Sequence, residues 1–329
     1  MIVIALVRER PKAPSSEGGY GANLHCETIT HLIKGEKMSL GMDAQCMLCH
    51  FRRNVETARS LGDEATATAF ARALMELYLS MPEGTDTPAM GPGTNELFQR
   101  FYGLDPDRFR QEKLDSNRFV LERLDAIRAT AESAADPVLA GLKLAILGNY
   151  IDFSALQGEV SFEKLDEMLA SALDMELDME NFAALCGELA AGKKLLYLTD
   201  NAGEIGFDRV FAEQIHRAYP NLQITFCVRG GPAQNDATRE DAAAVGIPFP
   251  VIDNGNCIAG TEIALLSPQA KQAQDEADVI ISKGQGNAET LLGCGYNIYY
   301  AFLIKCPRFM ARYGKPKLTP MLVRERYTL

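Results

Sequence analysis

Residues 194–208 read KLLYLTDNAGEIGFD. Lys194–Thr199 is a short apolar run with no polar alternation, which suits a strand covered on both faces. Asp200, Asn201 and Gly203 break the run, and residues 205–218 resume with helical spacing. The same grammar recurs downstream. Ile224–Val228, Phe249–Ile252, Val279–Ser282 and Ile298–Ile304 are further apolar runs, and helical stretches at 238–245 and 267–276 separate most of them. Strand, helix, strand in repetition implies a parallel sheet with right-handed crossovers. Residues 191–329 are therefore expected to form an open α/β domain with a mainly parallel sheet of about five strands.

Upstream the pattern changes. Between residues 42 and 190, segments such as 50–80 and 117–134 carry apolar residues three and four apart with charges between them, the period of an amphipathic helix. Breakers fall at Pro82–Gly84, Gly91-Pro92-Gly93, Asp105-Pro106 and Asp136-Pro137, so an all-helical region of six or more helices is expected. Residues 1–41 show no periodicity. Their one apolar stretch, Ile2 to Val7, is followed rather than preceded by charge, which makes a poor export signal. A loosely structured extension is expected here, with the functional chain starting near Met38 or Met42.

The chain has 329 residues, with 33 Lys and Arg against 44 Asp and Glu, a formal net charge of −11. That balance argues against partners held by phosphate backbones or anionic membranes. No apolar run reaches the 18 residues or so of a membrane helix. The eight cysteines are scattered along a chain that is 47% hydrophobic. They suit reduced thiols and a cytoplasmic protein better than a disulfide scaffold. Composition does not decide the oligomeric state.

In open α/β sheets ligands gather at the carboxyl ends of the strands. Three polar peptides occupy such places. Asp200 and Asn201 offer hard oxygen ligands that suit Mg²⁺ or Mn²⁺, although either could simply cap the next helix. Gly203 and Glu204 open that helix, whose first N–H groups favour an anion. The second strand runs into Arg229-Gly230-Gly231-Pro232 and then Asn235-Asp236. There Asp236 is either a ligand or a cap, and Arg229 either binds an anion or stays solvated. The fourth runs into Ser282-Lys283-Gly284-Gln285-Gly286-Asn287. A lysine and two glycines there suit a phosphoryl oxygen, but the spacing is neither a P-loop nor a dinucleotide fingerprint. In the helical half, Asn149 and Asp152 interrupt an apolar run that starts at Leu139. They could make structural bonds or line a cleft. Cys46-Met47-Leu48-Cys49-His50 reads as a metal or redox pair, as inert, or as a haem attachment that would need export.

With these motifs in order, residues 42–310 resemble the damage-control metal-dependent phosphatases, the family of unknown-function domain 89. The resemblance rests on Cys46 and Cys49, on GNYIDF at 148–153, on LTDNAGEIGFD at 198–208, on RGGPAQND at 229–236 and on SKGQGN at 282–287. The CxxC pair is similar to that of the prokaryotic branch. The resemblance implies a helical region followed by a Rossmann-like α/β domain. It also implies a divalent cation (Mg, Mn, Co or Ni) held by Asp200, Asn201 and Asp236, with Lys283 on the phosphate. Asn149, Asp152, Gly203, Glu204, Arg229, Gly284 and Asn287 would then surround a phosphorylated small molecule, such as a sugar phosphate or a damaged phosphometabolite. The competing expectation, from another class, is a metal-binding regulatory or redox-sensing protein without turnover that uses Cys46 and Cys49.

Overall fold

The structure is a computed structural model that describes residues 40–152 and 161–325. The expected extension lies outside these residues as far as position 39, as does Phe153. Eight helices come first: α1 (Ala44–Leu61), α2 (Glu64–Ser80), α3 (Gly91–Tyr102), α4 (Arg110–Leu121), α5 (Leu124–Ser133), α6 (Pro137–Gly148), α7 (Phe162–Ala170) and α8 (Met179–Ala191). Their starts follow local chemistry. Asp43, Asp63, Asp136, Ser161 and Asp178 accept a backbone N–H from the first turns of α1, α2, α6, α7 and α8, satisfying donors that the helix leaves unpaired. Pro137 sits at the start of α6, where its missing N–H costs nothing.

The remainder alternates as expected: β1 (Lys194–Leu198), α9 (Glu204–Ala218), β2 (Gln223–Val228), α10 (Arg239–Ala244), β3 (Val251–Asp253), α11 (Pro268–Glu276), β4 (Val279–Lys283), α12 (Gln285–Leu291) and β5 (Ile298–Leu303). Two elements close the described chain, α13 (Pro307–Tyr313) and β6 (Pro320–Glu325). The sheet has six strands in the order β3-β2-β1-β4-β5-β6, one more than expected. β6 is the addition and the exception: it pairs antiparallel with β5, from Ile298↔Glu325 to Leu303↔Pro320. The other pairs are parallel. This is the Rossmann-like α/β layer structure, preceded by helices.

Period two divides the sheet's side chains between two cores. Leu195 and Tyr197, Phe226, Val279 and Ile281, Tyr299 and Leu303 face the cluster that contains α6 and α9. Leu196 and Leu198, Ile280, Tyr300 and Phe302 face the other side. The first core also holds Leu142 and Leu147 of α6 and Leu185 of α8, so apolar packing runs across the expected boundary at 190/191. Gly148 sits against the ring of Phe207, where a Cβ would come to 2.8 Å. Helices α1–α3 keep a smaller core of their own around Phe70 and Phe98. No described helix is long and apolar enough to cross a membrane.

Candidate active site

The strand order turns outward on either side of β1 and β4. That reversal opens a crevice at their carboxyl ends, the usual ligand position in such sheets. Asp200 and Asn201 follow β1, and Gly284 follows β4. The loop after β2 folds back onto them. Asn201 and Asp236 form an isolated antiparallel bridge, Ala202 N donates to Asn235 O at 2.9 Å, and Ala237 N donates to Asp200 O at 2.7 Å. Three residues from two loops are thereby brought together: Asp200, Asn201 and Asp236 line one cavity of about 160 Å³.

Each ligand candidate is held. Asp200 Oδ2 accepts from Asn149 Nδ2 at 2.9 Å and from Asn201 Nδ2 at 2.8 Å. Gly284, with φ +78°, packs so closely that an added Cβ would lie 2.0 Å from that oxygen. Asp236 Oδ2 accepts from Arg229 Nε at 2.6 Å, and Arg229 Nη2 lies 3.9 Å from Asp200 Oδ1. Asn201 Oδ1 accepts from Asn235 Nδ2 at 2.9 Å.

Burial and mutual repulsion disfavour the charged forms of the two carboxyls. Burial, then Asp236 and Glu204, push the Asp200 carboxyl well above the usual carboxylate range, and Lys305 opposes the shift. Burial raises Asp236 to about 6 despite Arg229. Two buried carboxylates and an amide oxygen on a cavity wall form a hard-oxygen set that suits a divalent cation. The tight Gly284–Asp200 contact keeps one of those carboxylates in place. Among the described residues no group of three or more His, Cys, Asp or Glu forms a metal cluster; the candidate set has two such residues and Asn201.

Several expected site residues lie behind this wall instead of on it. Lys283 is the clearest correction. As the last residue of β4 it shares the parity of Val279 and Ile281, so its side chain enters the first core. There Nζ meets Glu204 Oε1 at 2.5 Å, Asp208 Oδ1 at 2.7 Å and Ala145 O at 2.9 Å. It is fully buried and does not line the cavity. Asn149, Glu204, Arg229 and Asn287 are likewise buried supports. Asn149 bridges Asp200, Glu204 Oε2 and Leu303 N. Asn287 binds Thr199 O and Thr261 Oγ1. Gly203, at φ +78°, turns the chain into α9 under Asn117 Oδ1, which accepts its N–H at 2.7 Å.

Asp152 does reach the cavity, and it brings a lysine that the sequence reading missed. Lys305 Nζ lies 2.6 Å from Asp152 Oδ2, and both residues line the cavity. The signal was present, since Lys305 follows the end of the apolar run at 298–304. Cys46 and Cys49 of α1 also line the cavity, as free thiols. Burial, then Asp43 and Glu289, push the Cys46 thiol up to about 11. His50, one position on, was read only as part of the CxxCH string. It is neutral: burial, then Arg53, lower it to about 3, and its ring nitrogens meet Tyr78 OH at 2.7 Å and Thr94 Oγ1 at 3.4 Å.

Residues 42–319 match the family described as damage-control phosphatase ARMT1-like domain. The chain belongs to that family. An ARMT1-like relative, damage-control phosphatase PH1575 of Pyrococcus horikoshii, is 36% identical over 191 residues, which cover 57% of this chain and 65% of that protein. A protein named MJ0202 from Methanocaldococcus jannaschii is 32% identical over 286 residues, 84% of this chain and 92% of that one. The crystal structure of the domain-89 family protein PH1575 superposes with a TM-score of 0.72 at 29% identity, covering 87% of this chain and all of that one. The chain thus spans slightly less than two thirds of the curated PH1575 sequence that it matches, while the structural match extends over the whole PH1575 fold.

Proposed function

We propose that this ARMT1-like chain is a divalent-metal-dependent phosphatase that hydrolyses phosphate monoesters of small metabolites, sugar phosphates or damaged phosphometabolites among them. The observation that carries the reading is the convergence of Asp200, Asn201 and Asp236 on one cavity wall, with Lys305 on the same cavity. The names of the Pyrococcus relative and of an Archaeoglobus fulgidus relative, 34% identical over 163 residues, are those of damage-control phosphatases, which supports the class of reaction.

Asp200, Asn201 and Asp236 would hold the cation (Mg, Mn, Co or Ni). When bound, such a cation neutralises phosphoryl charge and acidifies a coordinated water. The protein's own part is mostly positioning. Asn149 and Asn201 fix Asp200 through its Oδ2, and Arg229 fixes Asp236. Lys305, held by Asp152, places a positive charge where phosphoryl oxygens would sit, the role first expected of Lys283. Asp200 is bound by two amides and backed by Gly284, so it suits a fixed ligand rather than a carboxylate that must swing to attack phosphorus. Water is therefore the nucleophile. His50 is neutral and occupied by Tyr78, and serves the wall of the cavity rather than proton transfer.

The test is phosphate release from small monoesters by metal-stripped protein, given each cation in turn. Release that depends on a cation supports the proposal. Release that needs none, or no release with any cation and any monoester, counts against it.

A further inference from the structure

A second groove opens beside the cavity, between α1, the start of α3 and the loop before α4. It has about 460 Å³ of room and is lined by Asn54, Thr94 and Arg108 among others. His50, Arg53, Gly91 and Gln234 line both the groove and the phosphate cavity, so the two spaces adjoin along a shared wall. The charged residues of its lining are Arg53, Arg108 and Glu56. Arg108 packs its guanidinium over Phe98, 4.6 Å from the ring centroid, and over Phe109 at 5.2 Å. Among the described residues no carboxylate comes within ion-pair distance of it. Burial and the nearby charge of Arg53 both lower its proton affinity, and no acid offsets them. Glu56 lines the groove as well, but lies 3.9 Å from Arg52.

A guanidinium held over two rings with no acid partner forms a site for an anion, since a planar guanidinium pairs well with carboxylate or phosphate. We propose that this groove is an anion subsite reached from the phosphate cavity that it adjoins, so that favoured substrates are phosphate monoesters whose leaving group carries a second anionic group, a carboxylate or a phosphate, bound by Arg108. The proposal rests on the phosphatase reading for its first phosphate. The second group would lie toward α3, with the ester between His50 and Gln234. The aromatic faces under Arg108 hold the guanidinium in place before the anion arrives, which lowers the ordering cost of binding.

The experiment compares two probes that differ only in that group, 3-phosphoglycerate and glycerol 3-phosphate. It reads the ratio of their kcat/KM values in the wild type, Arg108→Gln and Arg108→Lys. The expected ratio favours 3-phosphoglycerate by about tenfold or more in the wild type, the size of one charge-assisted contact. It falls toward one in Arg108→Gln and is largely kept in Arg108→Lys. Thermal unfolding of the variants monitors folding, and the lysine variant keeps the charge if glutamine disturbs the aromatic stack. A wild-type ratio near one, or a preference unchanged by Arg108→Gln, overturns the subsite. A parallel arm reads calorimetric binding of both probes at low salt. If neither probe is hydrolysed but 3-phosphoglycerate binds more tightly and loses that advantage in Arg108→Gln, the subsite stands and the phosphatase reading fails. Equal binding of the two probes in that case overturns the subsite as well.

Discussion

The side-chain amide of Asn149 donates to Asp200 Oδ2 at 2.9 Å. Asn149 closes α6 in the helical half, and Asp200 ends the first strand turn of the sheet. The same amide reaches Glu204 Oε2 at 2.9 Å, and its carbonyl accepts from Leu303 N at 3.1 Å. One buried side chain therefore ties the candidate ligand to both layers. Residues that orient metal ligands commonly contribute 10- to 100-fold in affinity. Asn149→Ala is expected to weaken Mn²⁺ binding by about tenfold or more, and to cost about 1–3 kcal/mol because the buried Leu303 N–H loses its partner. Calorimetric titration and urea unfolding check the two parts. Unchanged metal affinity would show that Asn149 only supports the fold.

Gly284 is the next pressure point. A Cβ there would meet Asp200 Oδ2 at 2.0 Å, in a backbone with φ +78°. Gly284→Ala must displace the carboxylate or the loop, so turnover and metal binding are expected to fall by about 100-fold. Gly103→Ala is the matched control. Its φ is +66°, with open space around it, so it carries only the strain of the left-handed backbone, about 1 kcal/mol. Similar losses in both variants would remove Asp200 from the explanation.

Lys283 lies between Glu204 and Asp208 with no exposure. Both carboxylates raise its proton affinity, against burial. Lys283→Met leaves two buried acids with no cation and is expected to destabilise by about 3–5 kcal/mol in urea unfolding. A lysine that touched substrate phosphate would instead change KM in a protein of normal stability.

Glu289 lines the cavity on α12. Burial, then Asp86, raise its carboxyl to about 8, with Asp43 adding to the shift and Arg308 and Arg53 opposing it. A carboxyl raised above its unfolded value binds more protons in the native state. Its contribution to stability is fully present below about 4.5, is lost progressively as pH rises toward 8, and is flat beyond. Glu289→Gln is expected to flatten the fall of unfolding free energy between pH 5 and 8, and to gain on the wild type as pH rises. Parallel curves for the two proteins would contradict this.

The strands of the fold were legible because buried parallel strands read as unbroken apolar runs. β6 escaped because Pro320 opens a short run that carries Arg324 and Glu325 and lies at the sheet's edge. Asp200, Asn201 and Asp236 were legible as candidates because the first two follow β1 and the third lies in the loop after β2; their grouping as one set came from the family resemblance. The support layer behind them was not legible, because spacing along the chain does not tell which face a side chain takes. Lys283 shows this best: counting the strand one residue longer turns it from the crevice into the core. Lys305 and Arg108 could be placed only by the packing of distant elements, β5 against Asp152 and the α4 approach against α1.

The most direct measurement is the initial rate of p-nitrophenyl phosphate hydrolysis by metal-stripped wild type and Asp236→Ala, with and without Mn²⁺ or another of the four cations. The account predicts release in the wild type only with a cation, and a fall of about 100-fold or more in Asp236→Ala. Equal release with and without metal, or full activity in the variant, would contradict it.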